Sequence, residues 1–198
     1  ENRHDICESI LHNTGIDLEV ISGKEEAKLI FSNFHLSSID LEKNYIFIDV
    51  GGGSTELSLI QNNVKTSSKS FNIGSVRYLS GNEAEKVKIQ MKSWLNDNYS
   101  KNEEISAIGT GGSINKLYNL SKHNFDQPMT YKSLNEIIKY ISSFSYEDRI
   151  RVLKLKPDRA DVIVPSGEIY KMVMSSTGAN QIIVLKVGLA DGIIYNLF

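Results

Sequence analysis

The chain has 198 residues, 40% of them hydrophobic and 23% charged, with a net charge of −2. That balance is ordinary for a globular protein able to bury a core, and it offers no general attraction to nucleic acid or to an anionic membrane. A single cysteine, Cys7, excludes an internal disulfide and points to a reducing, cytoplasmic setting, while no apolar run approaches the ~20 residues of a membrane span.

Residues 2–14 read as a helix, with Ile6, Ile10 and Leu11 on one side and Gly15 as the stop signal. Cys7 lies among these apolar positions and is expected to be a buried thiol. Asp17–Ser22 reads as a short strand. Ser22 stands three residues before Glu25, a capping-box pattern that opens a helix over 23–34. Strands follow at 44–50, at 55–61 and around 64–73, although the polar segments 61–70 and 96–104 also carry loop or turn composition. A helix over Asn82–Tyr99 places Val87, Met91, Trp94 and Leu95 at helical spacing, most simply as core. The strand Glu104–Ile108 runs through a glycine turn into a helix from Ile114 to Leu120. Further helices are expected at 133–143, 146–153 and 159–176, then a strand at Gln181–Leu185 and a final helix from Gly188 to Leu197. Strands alternating with helices after an antiparallel hairpin indicate an α/β layer fold. The chain opens without methionine on a charged helical run, so it reads as a piece of something longer.

The most informative stretch is Asp49-Val-Gly-Gly-Gly-Ser-Thr-Glu56, a glycine turn between two apolar strands. Such a hairpin tip can bring bare backbone N–H groups up to a phosphate. Carboxylates beside a phosphate cradle are what Mg²⁺ requires, and Asp49 and Glu56 bracket the tip. The turn has no Gly-Lys-Ser/Thr and opens no helix, so it is neither a P-loop nor a dinucleotide-binding fingerprint. A second turn, Gly109-Thr-Gly-Gly-Ser113, lies between a strand and a helix, where helix N–H groups favour an anion. Its plainer reading is a strand-to-helix turn with Ser113 as N-cap. Together the two turns suggest loops closing on one polyanion.

These residues resemble the phosphate motifs of the acetate and sugar kinase, chaperone and actin superfamily, and within it the exopolyphosphatase/guanosine pentaphosphate phosphohydrolase (Ppx/GppA) family. Five stretches carry the resemblance, in the family's order: Val20-Ile-Ser-Gly-Lys-Glu-Glu-Ala27, Asp49 to Glu56, Gly74-Ser-Val-Arg77, Gly109 to Ser113, and Arg159-Ala-Asp-Val-Ile-Val-Pro165. The resemblance implies a ribonuclease H-like domain of actin and sugar kinase type, with a mixed sheet and flanking helices, over residues 1–198. It implies that this is the second domain of the catalytic module, the first phosphate loop belonging to a preceding domain outside this chain. The isolated piece is accordingly expected to be nearly inactive. At Ala190 many members carry arginine, a departure that weakens one polyphosphate contact.

The implied activity is removal of terminal phosphate from inorganic polyphosphate in a bacterial cytoplasm, with Mg²⁺ as cofactor. Guanosine pentaphosphate is the alternative substrate, and a non-catalytic polyphosphate- or nucleotide-binding role is a third reading. A phosphotransferase would need an acceptor-sugar pocket, and the Ile-Ser-Gly-x-Glu-Glu-Ala run argues for water instead. Neither nucleic acid nor a membrane is expected as a partner, and a homodimer is allowed for. Glu25 and Glu26 are adjacent candidates to position the water. Glu25 lies nearly opposite the stripe of Ala27, Ile30, Phe31 and Phe34, while Glu26 flanks it. Spacing alone would leave Glu26 an ordinary surface residue; the family's catalytic glutamate aligns with it. Resemblance gives Asp49 and Glu56 a metal role, with Glu56 also a candidate to hold the nucleophilic water. Gly51, Gly52, Gly53, Ser54 and Thr55 would hold phosphate oxygens, Gly109, Gly111, Gly112 and Ser113 a neighbouring group, and Arg77 and Arg159 further phosphates by bidentate contacts. Judged singly, each arginine is a surface or salt-bridging residue, and Arg159 has Asp161 nearby as a partner. The four histidines have no metal spacing.

Overall fold

The computed structural model describes residues 3–19, 40, 42–62, 64–79, 81–99, 104–121, 127–185 and 194. Helix α1 spans Arg3–Thr14. A hairpin of β1 (Asn44–Val50) and β2 (Thr55–Gln61) continues into β3 (Val64–Phe71), a 3₁₀ turn at Arg77–Leu79 and α2 (Gly81–Asn98). Then come β4 (Ile105–Thr110), α3 (Gly112–Leu120), β5 (Met129–Thr130) and α4 (Tyr131–Ser142). The described chain closes with α5 (Tyr146–Arg151), α6 (Pro157–Ala160), α7 (Ile163–Thr177) and β6 (Gln181–Val184).

The six strands form one mixed sheet in the order β3-β2-β1-β4-β6-β5. β1, β4 and β6 run parallel, whereas β2 is antiparallel to β1, β3 to β2 and β5 to β6. β1 sits mid-sheet with both faces covered, which is why Tyr45-Ile-Phe-Ile48 is a continuous apolar run rather than an alternating one. On one face Ile46, Ile48, Leu57, Leu59 and Ala107 pack with Met91 of α2, Leu117 of α3, Ile138 of α4 and Val173 of α7 in the main core. The opposite face buries a smaller cluster of Tyr45, Phe47, Ile60, Ile108 and Leu185.

The helices begin and end on local chemistry. The Thr130 hydroxyl accepts the Ser133 N–H and caps α4, whose buried Leu134, Ile137, Ile138 and Ile141 make one stripe. α7 stops at Gly178, which takes the left-handed conformation at φ 80°.

The strand expected around 64–73 is β3, and the helix expected over 82–99 runs as α2 through Asn98; the loop composition of 61–70 and 96–104 gives way there to a sheet edge with exposed positions and to the end of that helix. Other expectations are corrected. β4 runs on through Gly109 and Thr110. The helix expected over 159–176 is two, α6 and α7, separated by a turn at 161–162. Residues 15–19 carry no strand. On α1 the expected inner face is open, with Ile6 47% and Leu11 48% exposed and Cys7 a half-buried free thiol. The helix expected over 23–34, the motif 20–27 with Glu26, and Ala190 lie outside the described residues. Among the described residues no helix is long and apolar enough to cross a membrane.

Candidate functional site

The carboxyl ends of the neighbouring parallel strands β1 and β4 lead into the two glycine turns. In open α/β sheets, that edge is where ligands bind. Just before the turns, register aligns Asp49 with Glu56 on one side and with Thr110 on the other, and Glu56 with Ser70. Paired residues share a face, so Ser70, Glu56, Asp49 and Thr110 form one row of oxygen-bearing side chains across four strands. Within it, the Ser70 hydroxyl donates to Glu56 Oε1 at 2.9 Å. The buried Thr110 hydroxyl has no hydrogen-bond partner among the described residues.

At the first turn, the Gly51 N–H donates to the Ser54 carbonyl at 3.0 Å and closes a loop of Gly52 and Gly53. The segment after β3 folds back onto this tip. Ser75 N–H donates to the Gly51 carbonyl and Val76 N–H to the Gly52 carbonyl, each at 2.9 Å. Gly74 permits that approach: a Cβ there would stand 2.5–2.6 Å from Gly51 and Gly52 backbone atoms. The peptides are trans, so the N–H groups of Gly52 and Gly53 point opposite to those clamped carbonyls. No backbone acceptor among the described residues takes them. The fold itself does not demand glycine at the tip. A Cβ at Gly51, Gly52 or Gly53 would meet its nearest atom at 3.4, 3.7 or 3.6 Å, and none of the three has a left-handed φ.

The second turn is built differently. Gly111 takes φ 99°, a conformation that L side chains rarely adopt, and a Cβ on it would lie 3.2 Å from Asp49 Oδ1. Gly111 is thus the N-cap, with no capping side chain, and α3 starts at Gly112; Ser113 is buried inside the first turn and is not the cap. The Asn115 amide donates to the Gly111 carbonyl at 2.9 Å and holds the turn down. From below, the fully buried Tyr170 of α7 donates its hydroxyl to the Thr110 carbonyl at 2.7 Å. Burial, then the nearby Asp49 charge, pushes the Tyr170 phenol well above its ordinary range.

A cavity of about 340 Å³ opens between the turns. Of the sequence-derived candidates it gathers Asp49, Gly51, Gly52, Gly111, Gly112, Ser113 and Arg159. The Arg159 guanidinium lies 3.0–3.1 Å from where a Gly112 Cβ would stand, and it pairs with Asp158 at 3.6 Å rather than with Asp161. Gly53 and Ser54 do not line the cavity; Arg77 rests its guanidinium against Gly53, 3.6 Å from a Cβ position there. Two candidates serve the fold instead. Thr55 is fully buried and donates its hydroxyl to the Ile73 carbonyl at 2.5 Å. Gly109 is a packing glycine, since its Cβ would come within 2.8 Å of the Ile182 side chain. Sequence reasoning assigned no site role to Ser75, Asp158 or Tyr170. Ser75 lay within a quoted motif; the other two left no local signal.

Among the described residues no three His, Cys, Asp or Glu side chains cluster. Asp49 and Glu56 nevertheless make a pair of hard oxygen donors in register. Mg²⁺ commonly takes one or two carboxylates and completes its shell with water and substrate phosphate, so the pair fits it.

A sequence model of the Ppx/GppA phosphatase family matches residues 1–198. A bifunctional 3-dehydroquinate synthase/phosphatase of Fusobacterium nucleatum is 28% identical over 92% of this chain, and the match covers 31% of that protein. A guanosine-5'-triphosphate,3'-diphosphate pyrophosphatase of Aeromonas hydrophila is 24% identical over 91% of this chain and 39% of its own length. The chain therefore spans well under half the length of these two relatives. The crystal structure of an exopolyphosphatase from Cytophaga hutchinsonii superposes with a TM-score of 0.80 at 21% identity, over 100% of this chain and 70% of that one. That likeness shows the fold to be the expected ribonuclease H-like, actin-type one.

Proposed function

This chain belongs to the Ppx/GppA phosphatase family, and we propose that its protein removes the terminal phosphate of inorganic polyphosphate by Mg²⁺-assisted attack of a glutamate-positioned water. The observation that carries this reading is the pair of glycine turns at adjacent strand ends, facing one cavity with Arg159 over the second turn.

The Gly52 N–H group and the amino end of α3 would hold phosphate oxygens. Arg159 would add charge-assisted contacts. Asp49 and Glu56 would hold Mg²⁺, which when bound neutralises charge on the departing phosphate. Glu26, the residue with which the family's catalytic glutamate aligns, would accept a proton from the attacking water.

The test is phosphate release by the full protein from polyphosphate and, separately, from guanosine pentaphosphate. Release from polyphosphate with Glu26→Gln losing most turnover but little binding supports the reading. Tight polyphosphate binding without phosphate release would leave a sensor. Guanosine pentaphosphate is the second reading, favoured by the similarity to the Aeromonas hydrophila protein, and preferential release from it would select it.

A further inference from the structure

We infer that Tyr170 is a positioning residue that fixes the spacing between the two glycine turns, so that both act on one chain of phosphates. The inference rests on the reading of those turns as phosphate loops. Pairing between β1 and β4 ends at Asp49 and Thr110; beyond that pair the sheet no longer ties the strands together. Tyr170, which shares the main core with Val50, holds β4 there. Its hydroxyl donates to the carbonyl of Thr110, the residue before Gly111, at 2.7 Å.

Packing does not require the hydroxyl. The ring fills the core beneath Gly109, where a Cβ would come within 3.3 Å of Tyr170 Cε1, and phenylalanine would fill the same space. What phenylalanine lacks is the donor that holds the Thr110 carbonyl, at the strand end that leads into Gly111. A buried carbonyl that loses its donor is costly, so the end of β4 would shift to find another. Such a shift changes the gap between the turns while leaving each turn's own hydrogen bonds in place.

Two probes separate this role from a merely structural one. Methylenediphosphonate, which resists hydrolysis, can bridge both turns; inorganic phosphate needs only one. In the full protein with Mg²⁺, calorimetric titration of Tyr170→Phe should show diphosphonate binding weakened at least fivefold and phosphate binding changed less than twofold. Tyr170→Met, which also lacks the hydroxyl, should show the same selectivity. Equal losses for both probes, or none for either, would overturn the role of Tyr170. If the unaltered protein binds neither probe, the phosphate reading of the turns fails, and this inference with it. As a second measurement, hydrogen exchange at Asn115, whose N–H donates to the Gly111 carbonyl, should quicken at least threefold in Tyr170→Phe while that at Leu57 and Leu59 does not; uniform change would count against it.

Discussion

The guanidinium of Arg159 lies against Gly112, 3.0–3.1 Å from where a Cβ there would stand. The absence of a Cβ admits it over the first turn of α3, and the Asp158 carboxylate holds it there from the neighbouring position at 3.6 Å.

Gly112→Ala should therefore separate binding from stability. Alanine favours a helix over glycine by roughly 0.5–1 kcal/mol, so the thermal midpoint should hold or rise. The displaced guanidinium should raise KM for polyphosphate about tenfold, or ~1.4 kcal/mol, and Arg159→Ala should do the same. Steady-state phosphate release checks both; an unchanged KM in either variant removes Arg159 from the site.

The hairpin tip and its clamp should respond oppositely. Gly52→Ala has room for its methyl group and should leave denaturant unfolding within about 0.5 kcal/mol of the parent, while polyphosphate affinity falls tenfold or more. Gly74→Ala drives a Cβ into backbone at 2.5–2.6 Å and should cost about 2–4 kcal/mol of stability. A stable Gly74→Ala protein would mean that the clamp yields easily.

Asp49→Asn and Glu56→Ala should each raise the Mg²⁺ concentration for half-maximal turnover by about tenfold or more, because the proposed shell draws on both carboxylates. Titration with Mg²⁺ at saturating polyphosphate reads this directly, and an unchanged midpoint would reject the proposed ligand assignment.

Tyr170 gives a pH signature. Its folded-state value lies above the ordinary 10.0, through burial first and the Asp49 charge second. A raised value means that the stabilisation is complete below pH 10 and is lost as pH rises toward the folded value, where the unfolded chain has released a proton that the native one keeps. Unfolding free energy should fall by up to about 1.4 kcal/mol per pH unit more steeply in the parent than in Tyr170→Phe over that window. Denaturant titrations from pH 8 to 11 on both proteins measure it, and parallel slopes would refute it.

Local chemistry was what the sequence could show. β1 and β2 appear at the expected residues because an apolar run, a glycine triplet and a second apolar run bound themselves. Both turns were legible as glycine clusters, but their different construction was not. Gly111 is shaped by φ and Gly109 by packing, whereas a Cβ at any of Gly51 to Gly53 would meet ordinary contacts, and one-dimensional spacing does not distinguish the three cases. Thr55 reads as a phosphate ligand in the motif, yet strand alternation turns it into the core, where it holds Ile73. Tyr170 was invisible because its partner Thr110 lies 60 residues away along the chain. It sits in an apolar stretch of α7, where a tyrosine reads as one more core residue.

The bonds from Ser75 and Val76 to the Gly51 and Gly52 carbonyls also bear on what the tip discriminates. A glycine loop ordinarily exchanges oxygen for nitrogen at its surface by rotating a peptide plane. Here both planes are latched from behind by the turn that follows β3, so that rotation is closed. At those two planes the hairpin consequently presents the positive ends of its peptide dipoles as a built property of the fold, and a cation meeting them can recruit neither carbonyl without first undoing the latch.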